Sequence, residues 1–154
     1  MLPDHVQITN LIHTYPELID SGDFTGVGEL FAHGRITVAD TGVVYSGARE
    51  VAAMYEEWVQ VYADNGTPHT RHVTSNLVIE IAADGLSAKA RSYVTVFQSA
   101  ESFPLQPIFS NRYLDEFVKV GSVWRFRHRQ MTEAYVGDTS SHLRRVFPSR
   151  AAGT

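Results

Sequence analysis

The chain has 154 residues, 13 Lys+Arg against 17 Asp+Glu, 44% apolar residues and no cysteine. That composition describes one domain with enough apolar material for a core, and it excludes disulfides and cysteine-ligated metal. A formal charge of −4 supplies no dense positive field for nucleic acid or an anionic membrane, so neither is expected as a partner.

No stretch approaches the roughly 20 consecutive apolar residues of a membrane span. The opening Met1-Leu2-Pro3-Asp4-His5 lacks the basic and apolar regions of a signal peptide, and the expected location is cytoplasmic. Ile8, Leu11, Ile12, Tyr15, Leu18 and Ile19 recur at three- and four-residue steps, the stripe of an amphipathic helix. Pro16 removes one backbone hydrogen bond and predicts a bend in the last turn. Ser21-Gly22-Asp23 ends this helix, and Asp23 is placed to cap a short second one reaching Phe31. Residues 35–39 and 43–45 read as short strands around an Asp40-Thr41-Gly42 turn. Val51, Met54, Tyr55, Trp58, Val59 and Tyr62 predict a longer third helix that stops before Asp64-Asn65-Gly66.

From residue 70 the texture changes. Four β-rich runs, 70–82, 87–99, 107–120 and 123–134, are separated by turns at Asp84-Gly85 and Gly121-Ser122 and by a longer loop over 100–106. Helices followed by an antiparallel meander predict an α+β fold. In it, N-terminal helices pack on a strongly curved, mixed, mainly antiparallel sheet, a cone-shaped α+β barrel with a small-molecule pocket inside. A single domain takes residues 1–148 and leaves 149–154 as a tail. Plain alternation along 70–82 puts Val73, Leu77, Ile79 and Ile81 on one face, for core or subunit contact, and His72, Thr74 and Asn76 on the other.

His72, beginning a strand with polar neighbours on its own face, is either the first candidate for chemistry or part of a solvated strand end. A three-residue step sends His69 and His72 to opposite faces, which removes a two-histidine metal site. No His-Glu-x-x-His helix, carboxylate-rich loop, Gly-x-Ser-x-Gly elbow or phosphate loop occurs, and Gly26-Val27-Gly28 follows no strand. Neither a metal nor a cofactor is therefore expected. Asp20, at the end of the first helix, is either a turn residue or the carboxylate that fixes a histidine tautomer. Arg125, Arg127 and Arg129 alternate along the last strand; they read as a solvated face unless one enters the cone to pair with a carboxylate or hold an anion. Tyr15, Tyr55, Tyr93 and Tyr113 are phenol donors or core rings with hydroxyls at the rim.

Taken in order, Leu18-Ile19-Asp20-Ser21-Gly22-Asp23, Leu30-Phe31-Ala32, Val44-Tyr45-Ser46-Gly47, Arg71-His72-Val73-Thr74-Ser75-Asn76, and Trp124-Arg125-Phe126 with Arg129 resemble the SnoaL-like branch of the nuclear transport factor 2-like superfamily. Within it the pattern is similar to the cofactor-free lyases of the hexachlorocyclohexane dehydrochlorinase and scytalone dehydratase type. That resemblance implies His72 as general base, Asp20 as its orienting partner and Arg129 as a charge-balancing or leaving-group-side residue. It also implies a homo-oligomer, a trimer first and a dimer second. The abundant aromatic residues point to a small hydrophobic, cyclic substrate, with Tyr15, Tyr55, Trp58, Asn76 and Tyr113 as its expected contacts. The reading is a dehydratase or dehydrohalogenase. Its rivals are a steroid-isomerase-like or polyketide-cyclase-like proton-transfer enzyme and a noncatalytic ligand-binding or accessory domain.

Overall fold

Apolar spacing in the first twenty residues is realised as helix α1, Asp4–Asp20, in a computed structural model that describes residues 1–146. The helix buries Ile8, Ile12, Tyr15 and Ile19 and continues through Pro16. Asp23 caps α2 (Phe24–Leu30), its carboxylate accepting the Gly26 N–H at 2.8 Å. Strands β1 (Arg35–Val38) and β2 (Val43–Ser46) form a hairpin, and α3 follows over Gly47–Trp58. Helix α3 stops short of the expected Tyr62. Val59 leaves the helical conformation to form an antiparallel bridge with Leu143, a distant partner that local spacing does not announce.

Four long strands complete the chain: β3 (Thr70–Ile81), β4 (Ser87–Ala100), β5 (Phe103–Val120) and β6 (Val123–Val136). The six strands lie in the order β2-β1-β6-β5-β4-β3, with β1 parallel to β6 and every other neighbour antiparallel. The fold is α+β, three helices on a mixed sheet, and the sheet stays open at β2 and β3 instead of closing into a barrel. Apolar side chains from α1, α2 and α3 meet those of the sheet in the main core, built on Ile12, Phe31, Ile36, Phe117 and Phe126. Among the described residues no helix is long and apolar enough to cross a membrane. The expected tail, 149–154, lies outside the described residues, as do the last two positions of the expected domain.

Two sequence expectations need correction. Residues 100–106 are not a loop, because β4 and β5 join through a tight turn in which Ala100 faces Phe103. Ser102 takes a φ of 58° there without the Gly or Asn that usually marks such a turn, while Pro104 and Pro107 imitate loop composition. The faces of β3 also differ from plain alternation. The register with β4 runs from Ser75–Tyr93 to Val78–Arg91, so β3 carries one extra residue, and Asn76 has a φ of 54°. This bulge flips the parity of the rest of the strand. Leu77 and Ile79 therefore pack into the main core, whereas Val73 is exposed on the outside. A second bulge in β6 matters more. Glu116 pairs with His128 and Phe117 with Phe126, leaving Arg127 as the extra residue and turning Arg129 inward.

Candidate active site

The end of α1 delivers Asp20 to the start of β3. There the Asp20 carboxylate accepts three hydrogen bonds: from Thr70 Oγ1 at 2.8 Å, from the His72 backbone N–H at 2.8 Å and from His72 Nδ1 at 2.6 Å. A carboxylate only accepts, so Nδ1 carries a proton in this contact, and in the neutral form of the ring the lone pair is on Nε2. Burial works against ionisation of Asp20. The His72 hydrogen bond and charge, the backbone N–H and Thr70 outweigh it and hold the carboxyl below its ordinary 3.8.

His72 lines a cavity of about 200 Å³ between the helices and the sheet. The wall is mainly apolar, with Met54, Trp58, Val94 and Met131 among its members. Tyr15, Tyr55 and Tyr113 also face it, all less than a tenth exposed. The Tyr15 hydroxyl is in short hydrogen-bond contact with that of Tyr55 and also interacts with that of Tyr113. Behind these rings lies Arg129, fully buried, its guanidinium carbon 4.2 Å from the ring centroids of both Tyr15 and Tyr113. Its Nε and Nη2 donate to the two carboxylate oxygens of Asp115 at 2.8 and 2.7 Å. The opposing register of β5 and β6 places that pair directly across the ladder.

Further polar residues line the wall, Asp40 and Thr41 among them. Asn111 enters from β5, and His142 from the segment after β6. His142 is 8% exposed and its Nδ1 lacks a partner. Burial, followed by the charge of His72, lowers its pKa to about 4, with Asp20 opposing. Among the described residues no group of three or more His, Asp or Glu side chains converges as a metal site.

Residues 1–130 match the family model of the SnoaL-like domain. The chain belongs to that family. Solved structures agree with it in architecture. An NTF2-like protein with a cystatin-like fold from Novosphingobium aromaticivorans is 22% identical, with a TM-score of 0.69 over 83% of this chain and 80% of that one. A candidate scytalone dehydratase from the same organism is 20% identical, with a TM-score of 0.66 over 88% of each chain. ActVI-ORFA from Streptomyces coelicolor is 19% identical, with a TM-score of 0.66 over 83% of this chain and 95% of that one. No curated protein matches the chain.

For this SnoaL-like domain the structure brings together His72 and Asp20, and it sets Tyr15, Tyr55, Trp58 and Tyr113 around one cavity. Asn76 does not join them. The bulge it occupies leaves it exposed on the outer side, beside Arg91 and Tyr93, so the expected substrate contact is corrected. Arg129 points inward but does not line the cavity; it stands behind the tyrosines, bound to Asp115. Of its two expected roles, a place behind the wall is compatible with charge balance and does not reach the cavity side that a leaving group would occupy. His69 turns to Asp64, 2.8 Å away, and stacks on Tyr62.

Sequence reasoning did not find His142, Asn111 or Asp115. For Asp115 a signal existed: Tyr113 and Asp115 share a strand face, and a carboxylate among buried aromatics calls for a cation. His142 follows the last strand in a segment without periodicity, and nothing local marks it.

Proposed function

We propose that this SnoaL-like domain is a cofactor-free lyase of the dehydratase or dehydrohalogenase type. His72 Nε2 takes a proton from carbon, the C–H electrons form the new double bond, and a hydroxyl or halide leaves the neighbouring carbon with its bonding pair. Asp20 holds the ring by Nδ1 and stabilises the imidazolium as it forms. The observation that carries this reading is the 2.6 Å contact between Asp20 and His72 Nδ1 at the wall of an apolar cavity. General-base catalysis contributes about 10²–10⁴-fold. Placement of the substrate in a site with little water supplies the remainder.

A panel of hydroxylated and halogenated single-ring substrates, assayed for elimination, tests the proposal. His72→Ala is expected to lower turnover by at least about 10²-fold while circular dichroism stays close to wild type. Undiminished turnover removes the reading. The tyrosine hydroxyls favour one second reading, a proton-shuttle isomerisation on the same base. In deuterated water that reaction puts deuterium into the product with no leaving group lost.

A further inference from the structure

With Arg129 behind the wall, the group that leaves in the proposed elimination needs another donor, and the wall holds one beside the base. His72 pairs with Val96 of β4, and next along the same face Gln98 holds the Ser141 carbonyl at 2.8 Å, so His142 enters the cavity at the His72 end. Asn111 and Tyr113 stand opposite Val94 and Ser92, and Ser92 lies roughly 13 Å along the strand from Val96 at about 3.3 Å per residue. The His142 ring is buried, and Nδ1 is sealed without a hydrogen-bond partner among the described residues, so the ring meets the cavity through Nε2. Orphaned buried N–H groups are rarer than orphaned acceptors, which puts the lone pair on Nδ1 and the proton on Nε2. Burial also keeps the ring neutral. An unpartnered polar ring costs stability that an apolar side chain of similar volume would not, so packing alone does not account for His142. A fixed N–H in a water-poor wall is what a group departing with negative charge requires.

We propose that His142 Nε2 donates the hydrogen bond that receives the departing group. This rests on reading the cavity as a site of elimination and names what the substrate must carry: an electronegative substituent that accepts a hydrogen bond, on the carbon next to the one that His72 deprotonates. The C–H electrons form the double bond, the substituent leaves with its bonding pair, and His142 keeps its own proton throughout. A departing hydroxide is released as water with the proton that His72 has taken, whereas a halide leaves that proton to solvent. The volume fits one ring with such a substituent, since an apolar cavity of roughly 150 Å³ admits benzene and this one measures about 200 Å³.

The first probes are benzyl alcohol and toluene, two rings that differ by one hydroxyl, titrated by calorimetry into the whole protein. His142→Leu is expected to weaken benzyl alcohol about fivefold relative to toluene, the size of one hydrogen bond. His142→Gln, whose amide places an N–H near the position of Nε2, should keep most of the wild-type ratio. A wild type that takes up neither ring, a ratio unchanged in His142→Leu, or equal weakening of both ligands overturns the proposal. The second measurement is elimination from rings that differ only in carrying hydroxyl or bromide. Hydroxyl is the poorer leaving group and depends more on the donor, so His142→Leu should lower its turnover about tenfold more than that of the bromide. An equal loss overturns the proposal, because a merely structural role slows both alike. The two readings fail separately: benzyl alcohol held through His142 without elimination across the substrate panel removes the lyase and leaves the donor standing, whereas elimination with both ratios unchanged removes the donor alone.

Discussion

His142 has its ring buried against the cavity, with His72 and Asp20 as the charged groups that act on it. Its pKa falls from 6.5 to about 4 in the folded chain, so folding keeps the imidazole neutral while the unfolded chain protonates it near 6.5. The associated stability is therefore complete above about pH 6.5 and is lost progressively as pH falls towards about 4, a difference of about 3 kcal/mol. Urea unfolding midpoints followed across that window should drop for the wild type. His142→Gln should flatten most of the drop, and an unchanged slope would place the titrating group elsewhere. Asp20 acts in a lower window. Its depressed pKa contributes stability that is present above 3.8 and disappears only as pH falls through the still lower folded value. The two effects are thus separable in one titration.

Strand pairing explains why the fold was more legible in the sequence than the site. Helical stripes, the Asp23 cap and the Gly-marked turns are local patterns, and each became an element close to where spacing placed it. Facing is a different matter, because one bulge reverses every side chain after it. Asn76 is a residue that tolerates positive φ, which was the one local hint on β3; Arg127 gives none on β6. As a result Arg127 is exposed and Arg129 fully buried, although the two alternate along the chain as if they shared a face. The His72–Asp20 pair was legible through family resemblance, since helical periodicity alone leaves Asp20 off the apolar stripe. The inward turn of β6 also fixes a testable energetic consequence. Arg129→Met leaves the Asp115 carboxylate buried and alone and is expected to cost about 3–5 kcal/mol. Asp115→Leu/Arg129→Met removes both charges and should recover most of that loss in urea unfolding. A double variant as unstable as the single one would mean that the pair supports the strands through something other than its charge.

The cavity is assembled from segments far apart in the chain, and its C-terminal wall is tied on by few bonds. Gln98 on β4, 1% exposed, donates through Nε2 to the carbonyls of Pro68 at 3.1 Å and Ser141 at 2.8 Å. The Tyr62 hydroxyl also reaches Ser141 O, the Gln60 N–H donates to His142 O at 2.8 Å, and the Arg144 N–H donates to Trp58 O at 2.9 Å. These bonds hold His142 and Leu143 against the cavity, whereas the main core between helices and sheet includes neither residue. Local opening of this wall should therefore cost less than global unfolding. Gln98→Leu keeps the side-chain volume but strips two carbonyls of a buried donor, a loss of about 1–3 kcal/mol concentrated at one end of the molecule. In hydrogen exchange the amides of Gln60 and Arg144 should lose protection while the β4–β5 ladder keeps it. The pH slope assigned to His142 should shrink in the same variant, because a wall that opens returns the ring to water. Uniformly faster exchange across β4 and β5 would show instead that the C-terminal wall and the sheet unfold as one unit, and that the cavity has no separately movable side.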